Sequence, residues 1–290
     1  MIRRLALGTA QFGLQYGIAN TIGQVTPDMA RQIMHTAHRN GIDTIDTAMA
    51  YGNSEKVLGE IGGLSWRIIS KLPDVPAEIT DVRGWLFSKV EGSLSRLGVR
   101  HLDGLLLHRP GQLLERGGNE IFSALRDCRK AGLSKKIGYS VYDPSELDQL
   151  FEAFPPDIVQ APFNVIDRRL VSGGWLGRLK AASVEVHTRS VFLQGLLLMT
   201  EAARPKKFCP WDALWGRWHD WLKKNEVTAL QACLAFVLAE REIDRVVVGV
   251  DSSRQLAEIL SAARTSSSHP PDELTVTDEA LVNPSLWSRL

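Results

Sequence analysis

Four residues of unlike chemistry close short apolar runs or follow one within a few positions: Asp46, Tyr51, Lys71 and His108. A carboxylate, a phenol, an amine and an imidazole on one rim would suit the reduction of a carbonyl. Hydride addition makes an alkoxide, which needs a proton donor and positive charge beside the developing oxyanion. A tyrosine titrates at about pH 10 when unperturbed, so it is a reluctant acid at neutrality. A neighbouring ammonium would favour the phenolate and lower that pKa, and an aspartate would hold the ammonium charged and in place. The imidazole could orient the carbonyl oxygen and donate a hydrogen bond to it. Each residue also has an ordinary reading. Tyr51 could pack in its loop, Lys71 could point into solvent, Asp46 could cap the next helix, and His108 could be a satisfied core histidine. Their coincidence on successive strand ends favours the chemical reading.

The elements that must position them alternate along the chain. β-like apolar runs fall near 5–8, 42–46, 66–71, 102–108, 136–140, 157–161, 184–189 and 245–250. Helix-like segments fall near 27–40, 53–61, 80–97, 119–131, 144–154, 169–182, 211–224 and 228–241. Eight strands separated by helices argue for a parallel sheet with crossovers. Thr26-Pro27-Asp28 and Asp143-Pro144 open helices with a cap and a first-turn proline, and Asn40-Gly41 closes one. The competing doubly wound sheet would favour GxGxxG after the first strand, and that motif, a P-loop and HExxH are all missing from the sequence. The fold class expected is therefore α/β, a (β/α)8 TIM barrel forming a single domain over 1–290. The polar stretch 264–273 reads as a linker into a short tail over about 270–290.

Lys+Arg 34 against Asp+Glu 33 leaves a formal charge of +1, which gives no electrostatic reason to expect nucleic acid or an anionic membrane as partner. Cys128, Cys209 and Cys233 are far apart and form no CxxC, so neither a disulfide framework nor a metal site is expected. No apolar stretch approaches the roughly 20 residues of a membrane helix, and the apolar run at the start is short for a signal peptide. The expected address is cytoplasmic. Oligomeric state is not legible.

Several motifs then agree on one family. Asp46-Thr47-Ala48-Met49-Ala50-Tyr51-Gly52-Asn53-Ser54-Glu55 with Leu58-Gly59 resembles the aldo-keto reductase signature. So do Ser93-Leu94-Ser95-Arg96-Leu97-Gly98 leading to Asp103 and His108, then Gly132 to Ser140, and Gln160 followed by Asn164. The resemblance spans about Leu5 to Leu260 in family order. It implies a catalytic tetrad at Asp46, Tyr51, Lys71 and His108, with Tyr51 as general acid for an aldehyde, ketone or sugar-like carbonyl. It implies a nicotinamide cofactor, NADPH ahead of NADH and no metal. Ser140 and Gln160 would hold the carboxamide. Thr9, Asp46, Arg189, Ser190, Gln194, Gly249, Ser252, Gln255 and Glu258 would complete the cofactor site, the last four at its adenosine half, where a helix N-terminus would help hold phosphate.

Some positions depart from the commoner pattern. Val141 replaces an asparagine, Arg189 stands where many members stack an aromatic ring on the nicotinamide, and Gly249 stands where some carry a lysine for the 2′-phosphate. Arg204-Pro205-Lys206-Lys207 and Arg254 are the basic groups that could serve instead, the first with a solvated loop as its alternative. Arg189 could also turn away to a carboxylate such as Asp167 or Glu185. Trp211, Trp215, Trp218 and Leu222 share a helical face, read as core rather than a substrate platform. Phe12, Tyr16, Tyr51, His108 and Trp287 are the candidates for the substrate pocket. Two other readings stay open: a non-catalytic nucleotide-binding regulator on the same fold, and a phosphate-binding barrel isomerase or lyase, for which only Ser190 to Gly195 suggests a phosphate loop.

Overall fold

The computed structural model describes residues 1–62, 65–265 and 267–290. Eight parallel strands close a barrel in sequence order: β1 (Leu5–Gly8), β2 (Thr44–Asp46), β3 (Arg67–Leu72), β4 (Gly104–Leu107), β5 (Ile137–Ser140), β6 (Ile158–Pro162), β7 (Glu185–Arg189) and β8 (Arg245–Gly249). β1 closes the ring against β8, with Gly8 beside Gly249 on one side and Asp46 on the other. Every expected strand is present, each end within two residues of the expected one. Lys71 is the penultimate residue of β3 rather than its last, and His108 follows β4 directly.

Alternate residues of each strand face the barrel axis, and three kinds of side chain fill the interior from bottom to top. At the lower end Glu185 meets Arg67 at 3.1 Å and Lys136 at 2.5 Å. Above it Ile69, Leu106 and Ile158 form an apolar cluster separate from the main core. Asp46, Lys71, Ser140, Gln160 and Arg189 come next, at the carboxyl ends of the strands. The main core lies outside the strands, between sheet and helices.

Helix ends follow local chemistry. Thr26 accepts from the Met29 N–H and Asp81 from the Gly84 N–H at the starts of Pro27–Arg39 and Val82–Leu97. Two expected helices are shorter than their apolar pattern. The 144–154 segment is a 3₁₀ turn, Pro144–Glu146, followed by Leu147–Leu150, and 169–182 breaks at Gly173-Gly174 into Arg169–Ser172 and Trp175–Ala181. The 264–273 stretch, expected to be a linker, is tied down where it is described: Arg168 pairs with Asp272 at 2.7 Å and donates to the carbonyls of Pro270 and Pro271. Trp215 and Trp218 are buried core, their indole N–H groups bonded to the carbonyls of Phe208 and Leu197.

Candidate active site

Tyr51 is placed by two loops that cross without room for side chains. A Cβ on Gly13 would lie 1.8 Å from the Tyr51 carbonyl oxygen, and one on Gly52 would lie 2.3 Å from the Gly13 carbonyl oxygen. Beneath this crossing, buried hydroxyls lock the ends of β1 and β2 together. Thr9 donates to the Asp46 carbonyl from its N–H (3.0 Å) and its hydroxyl (3.1 Å), while Ser54 bonds to both the carbonyl and hydroxyl of Thr9. The next residue of the same motif, Glu55, is buried and takes Ser70, Ser93 and Arg96. Part of the sequence signature is therefore a polar staple between helices Ser54–Ile61 and Val82–Leu97.

Asp46 sits at the centre of the polar floor. Lys71 Nζ donates to its Oδ1 at 2.6 Å and to the Thr47 carbonyl at 2.9 Å; Gln160 Nε2 donates to its Oδ2 at 2.7 Å. Ser140 in turn donates to Gln160 Oε1 at 3.1 Å. The Lys71 ammonium lies 5.2 Å from the Tyr51 ring centroid, and that ring meets His108 edge-on at 5.7 Å. The structure thus brings together all four residues of the candidate tetrad.

Its electrostatics differ from the expectation on one point. Burial, followed by the Asp46 carboxylate, holds the Tyr51 phenol above its ordinary pKa, and the cation that opposes this is Arg189 rather than Lys71. The Lys71 ammonium is itself committed to Asp46 and to the Thr47 carbonyl. A phenol so held keeps its proton at neutral pH, and it is a weaker acid than a free tyrosine until negative charge grows beside it. Burial and the nearby Lys71 push the His108 imidazole down to about 3, so it is neutral and can donate an N–H hydrogen bond without carrying charge.

A cleft of about 320 Å³ runs across the rim from Tyr51, Asp46 and Gln160 to Gly249, Gln255 and Glu258. Thr9, Tyr16, Arg189, Ser190 and Gln194 also line it. Six candidates do not, Lys71 among them, buried against Asp46. Phe12 and Trp287 are buried in the core, Trp287 bonding to the Leu281 carbonyl and packing on Phe208, so both are corrected from substrate contacts to packing. Ser140 lies behind Gln160, Ser252 caps the helix Ser253–Ala262 through the Gln255 N–H, and His108 stands beside Tyr51 just off the cleft wall.

The basic groups also fall elsewhere. Arg204 lies over Trp215 and bonds to His219, and Lys207 bonds to the Trp287 carbonyl, so the 204–207 segment braces the C-terminal tail. Arg254 is 86% exposed and reaches only Glu258, at 3.7 Å. Arg189 does not turn to a carboxylate: Asp167 pairs with Arg169, and Glu185 with Arg67 and Lys136. Its guanidinium instead stacks 4.5 Å from the Tyr142 ring centroid and donates to the Val141 carbonyl. Tyr142, Gln11, Asn20 and Asp251 were missed from sequence, because three lie in loops and Gln11 in the four-residue helix Ala10–Gly13, where periodicity carries no signal. Asp251 alone had a cue, a carboxylate two residues beyond β8.

Comparison with known proteins gives one answer. The model of the aldo/keto reductase family matches residues 4–276. The oxidoreductase sirO of Leptosphaeria maculans is 25% identical over 88% of this chain and 87% of its own. The NADH-specific methylglyoxal reductase of Escherichia coli is 24% identical over 90% of each. An aldo-keto reductase from Bacillus halodurans, solved in its holo form, superposes with a TM-score of 0.73 at 19% identity, covering 93% of this chain and 89% of that one.

Proposed function

The chain belongs to the aldo/keto reductase family, and from that premise we propose that it reduces the carbonyl of a small molecule with a nicotinamide cofactor, Tyr51 supplying the proton. One observation carries the reading: a buried Lys71–Asp46 pair, a protonated phenol and a neutral imidazole converge beside a cleft that runs from Tyr51 to Glu258. The residues fit the cofactor. Gln160 lines the cleft, and its Oε1 keeps a lone pair beyond the one Ser140 uses, which suits a carboxamide NH₂. At the far end, Leu230 and Ile259 offer an apolar wall for a flat base.

The cofactor supplies the hydride when bound. His108 donates its N–H to the substrate oxygen and fixes the carbonyl in place. As negative charge grows on that oxygen, the Tyr51 hydroxyl gives up its proton, and the Lys71 ammonium stabilises the phenolate left behind. Asp46 keeps Lys71 from moving. Among the described residues no three His, Cys, Asp or Glu side chains gather where a metal could sit, and no helix is long and apolar enough to cross a membrane.

The resemblance favours NADPH, yet the basic groups counted on for its 2′-phosphate, Arg204 to Lys207 and Arg254, lie off the cleft or are half-neutralised. The test of function is a panel of aldehydes, ketones and sugars, assayed by nicotinamide absorbance with each cofactor. Turnover of any carbonyl supports the proposal. Tight dinucleotide binding with no turnover across the panel replaces it with the non-catalytic regulator.

A further inference from the structure

The cleft carries an asymmetric set of charges. Its one lining cation, among the described residues, is Arg189, beside Tyr51. At the opposite end the ionisable groups that line it are Asp251 and Glu258. Glu258 has Arg254 within 3.7 Å, so that pair is close to neutral. Asp251 has no cation within ion-pair distance among the described residues; its carboxylate meets only neutral side chains, Asn20 Nδ2 at 3.4 Å and Gln255. Burial raises its pKa, and the Gln255 contact offsets this only in part.

The surrounding backbone offsets that charge only in part. Asp251 lies two residues before the helix Ser253–Ala262, whose N-terminus would ordinarily welcome an anion. The Gln255 N–H of its first turn is taken by Ser252 Oγ at 3.2 Å, and ahead of the helix the Asp251 N–H donates to Gln255 Oε1 at 2.7 Å. The position that could carry a cation, 249, is a glycine, and a Cβ there would sit 2.6 Å from the Gln11 side-chain nitrogen, so that amide would have to swing aside.

We infer that Asp251 selects NADH over NADPH, its carboxylate accepting the 2′-hydroxyl of the adenosine ribose and repelling a 2′-phosphate. The inference rests on the proposed reductase function, because it takes this end of the cleft as the adenosine half. The chemistry is complementary on both counts. A free carboxylate oxygen is a strong acceptor for a ribose hydroxyl, the logic by which an acidic residue marks NAD sites on other folds. A phosphomonoester carries about two negative charges and would meet Asp251 with no intervening cation.

The test is equilibrium binding of NADH, NADPH, AMP and adenosine 2′,5′-bisphosphate to the wild-type protein and to Asp251→Asn and Asp251→Arg, by titration calorimetry. The two adenosine probes read this end of the cleft without the nicotinamide. The wild type is expected to bind NADH and AMP at least about tenfold tighter than their 2′-phosphorylated counterparts. Asp251→Asn should narrow that ratio and Asp251→Arg should invert it, with NADH affinity falling less than NADPH affinity rises. Equal or tighter NADPH binding by the wild type, or a ratio unmoved by both substitutions, overturns the inference and leaves the reductase function standing. Binding of neither dinucleotide overturns both.

Discussion

Lys71 and Asp46 meet at 2.6 Å with side chains only 1% and 5% exposed, and Gln160 takes the other Asp46 oxygen at 2.7 Å. Both carboxylate oxygens are therefore committed to holding this pair in one geometry. Removing the ammonium leaves a buried, half-satisfied charge, so Lys71→Met is expected to destabilise the fold by about 3–5 kcal/mol as well as abolish turnover. Lys71→Met with Asp46→Asn should recover much of the stability and none of the activity. Thermal melts and steady-state rates on the three variants check this. A double variant as unstable as the single one would mean that the pair is not what the melt reports.

Tyr51→Phe isolates the proton. The ring remains to pack edge-on against His108, and only the hydroxyl is lost. The expected outcome is a kcat lower by about 10²–10⁴-fold, as for other general acids, with cofactor Kd unchanged. Retention of more than about a tenth of wild-type kcat would remove Tyr51 from the mechanism.

The barrel was legible because each βα unit repeats one pattern, and its strands stand out as apolar runs of the right length. The tetrad was legible for the same reason, since strand ends fix where Asp46, Lys71 and His108 must lie. What lay beyond reach depended on loops meeting across the rim. Nothing in the sequence says that Tyr142 will receive Arg189, or that Lys207 will turn to the Trp287 carbonyl instead of the cleft. Phe12 was misplaced because an aromatic residue four positions after β1 reads equally as wall or as core. The direction of the Tyr51 pKa was misjudged by pairing it with Lys71 alone, when burial and the Asp46 carboxylate both push it the other way.

His108 gives a pH prediction. Its folded-state pKa is lowered to about 3 from the ordinary 6.5, so the unfolded chain binds its proton first as pH falls. The contribution of this residue is fully present above about pH 6.5 and is lost as pH falls through that window toward the folded value. His108→Gln should flatten the decline in melting temperature between about pH 6 and pH 4. The kcat of the wild type should likewise show no ionisation at the ordinary histidine value, and a clear inflection there would show that His108 carries a proton during turnover.

Glu55 predicts a purely structural effect inside the family signature. Its carboxylate takes two serine hydroxyls and Arg96 from a site 3% exposed. Glu55→Ala leaves those groups short of an acceptor and should lower the melting temperature well beyond a surface substitution. Dinucleotide Kd measured below the transition should stay at the wild-type value. A large rise in Kd with an unchanged melt would instead place Glu55 in the binding machinery.

Arg189 yields the last prediction, which concerns the redox state of the cofactor. Its guanidinium lines the cleft beside Tyr51, 4.5 Å from the Tyr142 ring centroid and bonded to the Val141 carbonyl, with no carboxylate within ion-pair distance among the described residues. At this position many family members resemble one another in placing an aromatic ring under the nicotinamide. The oxidised ring is positively charged and the reduced ring is neutral, so a planar cation there disfavours the oxidised form. The wild type should therefore show a larger ratio of oxidised to reduced cofactor Kd than Arg189→Tyr, which keeps a flat surface and removes the charge. Raising the ionic strength should shrink the difference only slightly, because a half-buried charge is poorly screened. Titrating both redox forms of one dinucleotide into both proteins measures it. A ratio that does not move on substitution would mean that the Arg189 charge is not felt at the ring, and that its place is to fix Tyr142 and the end of β5.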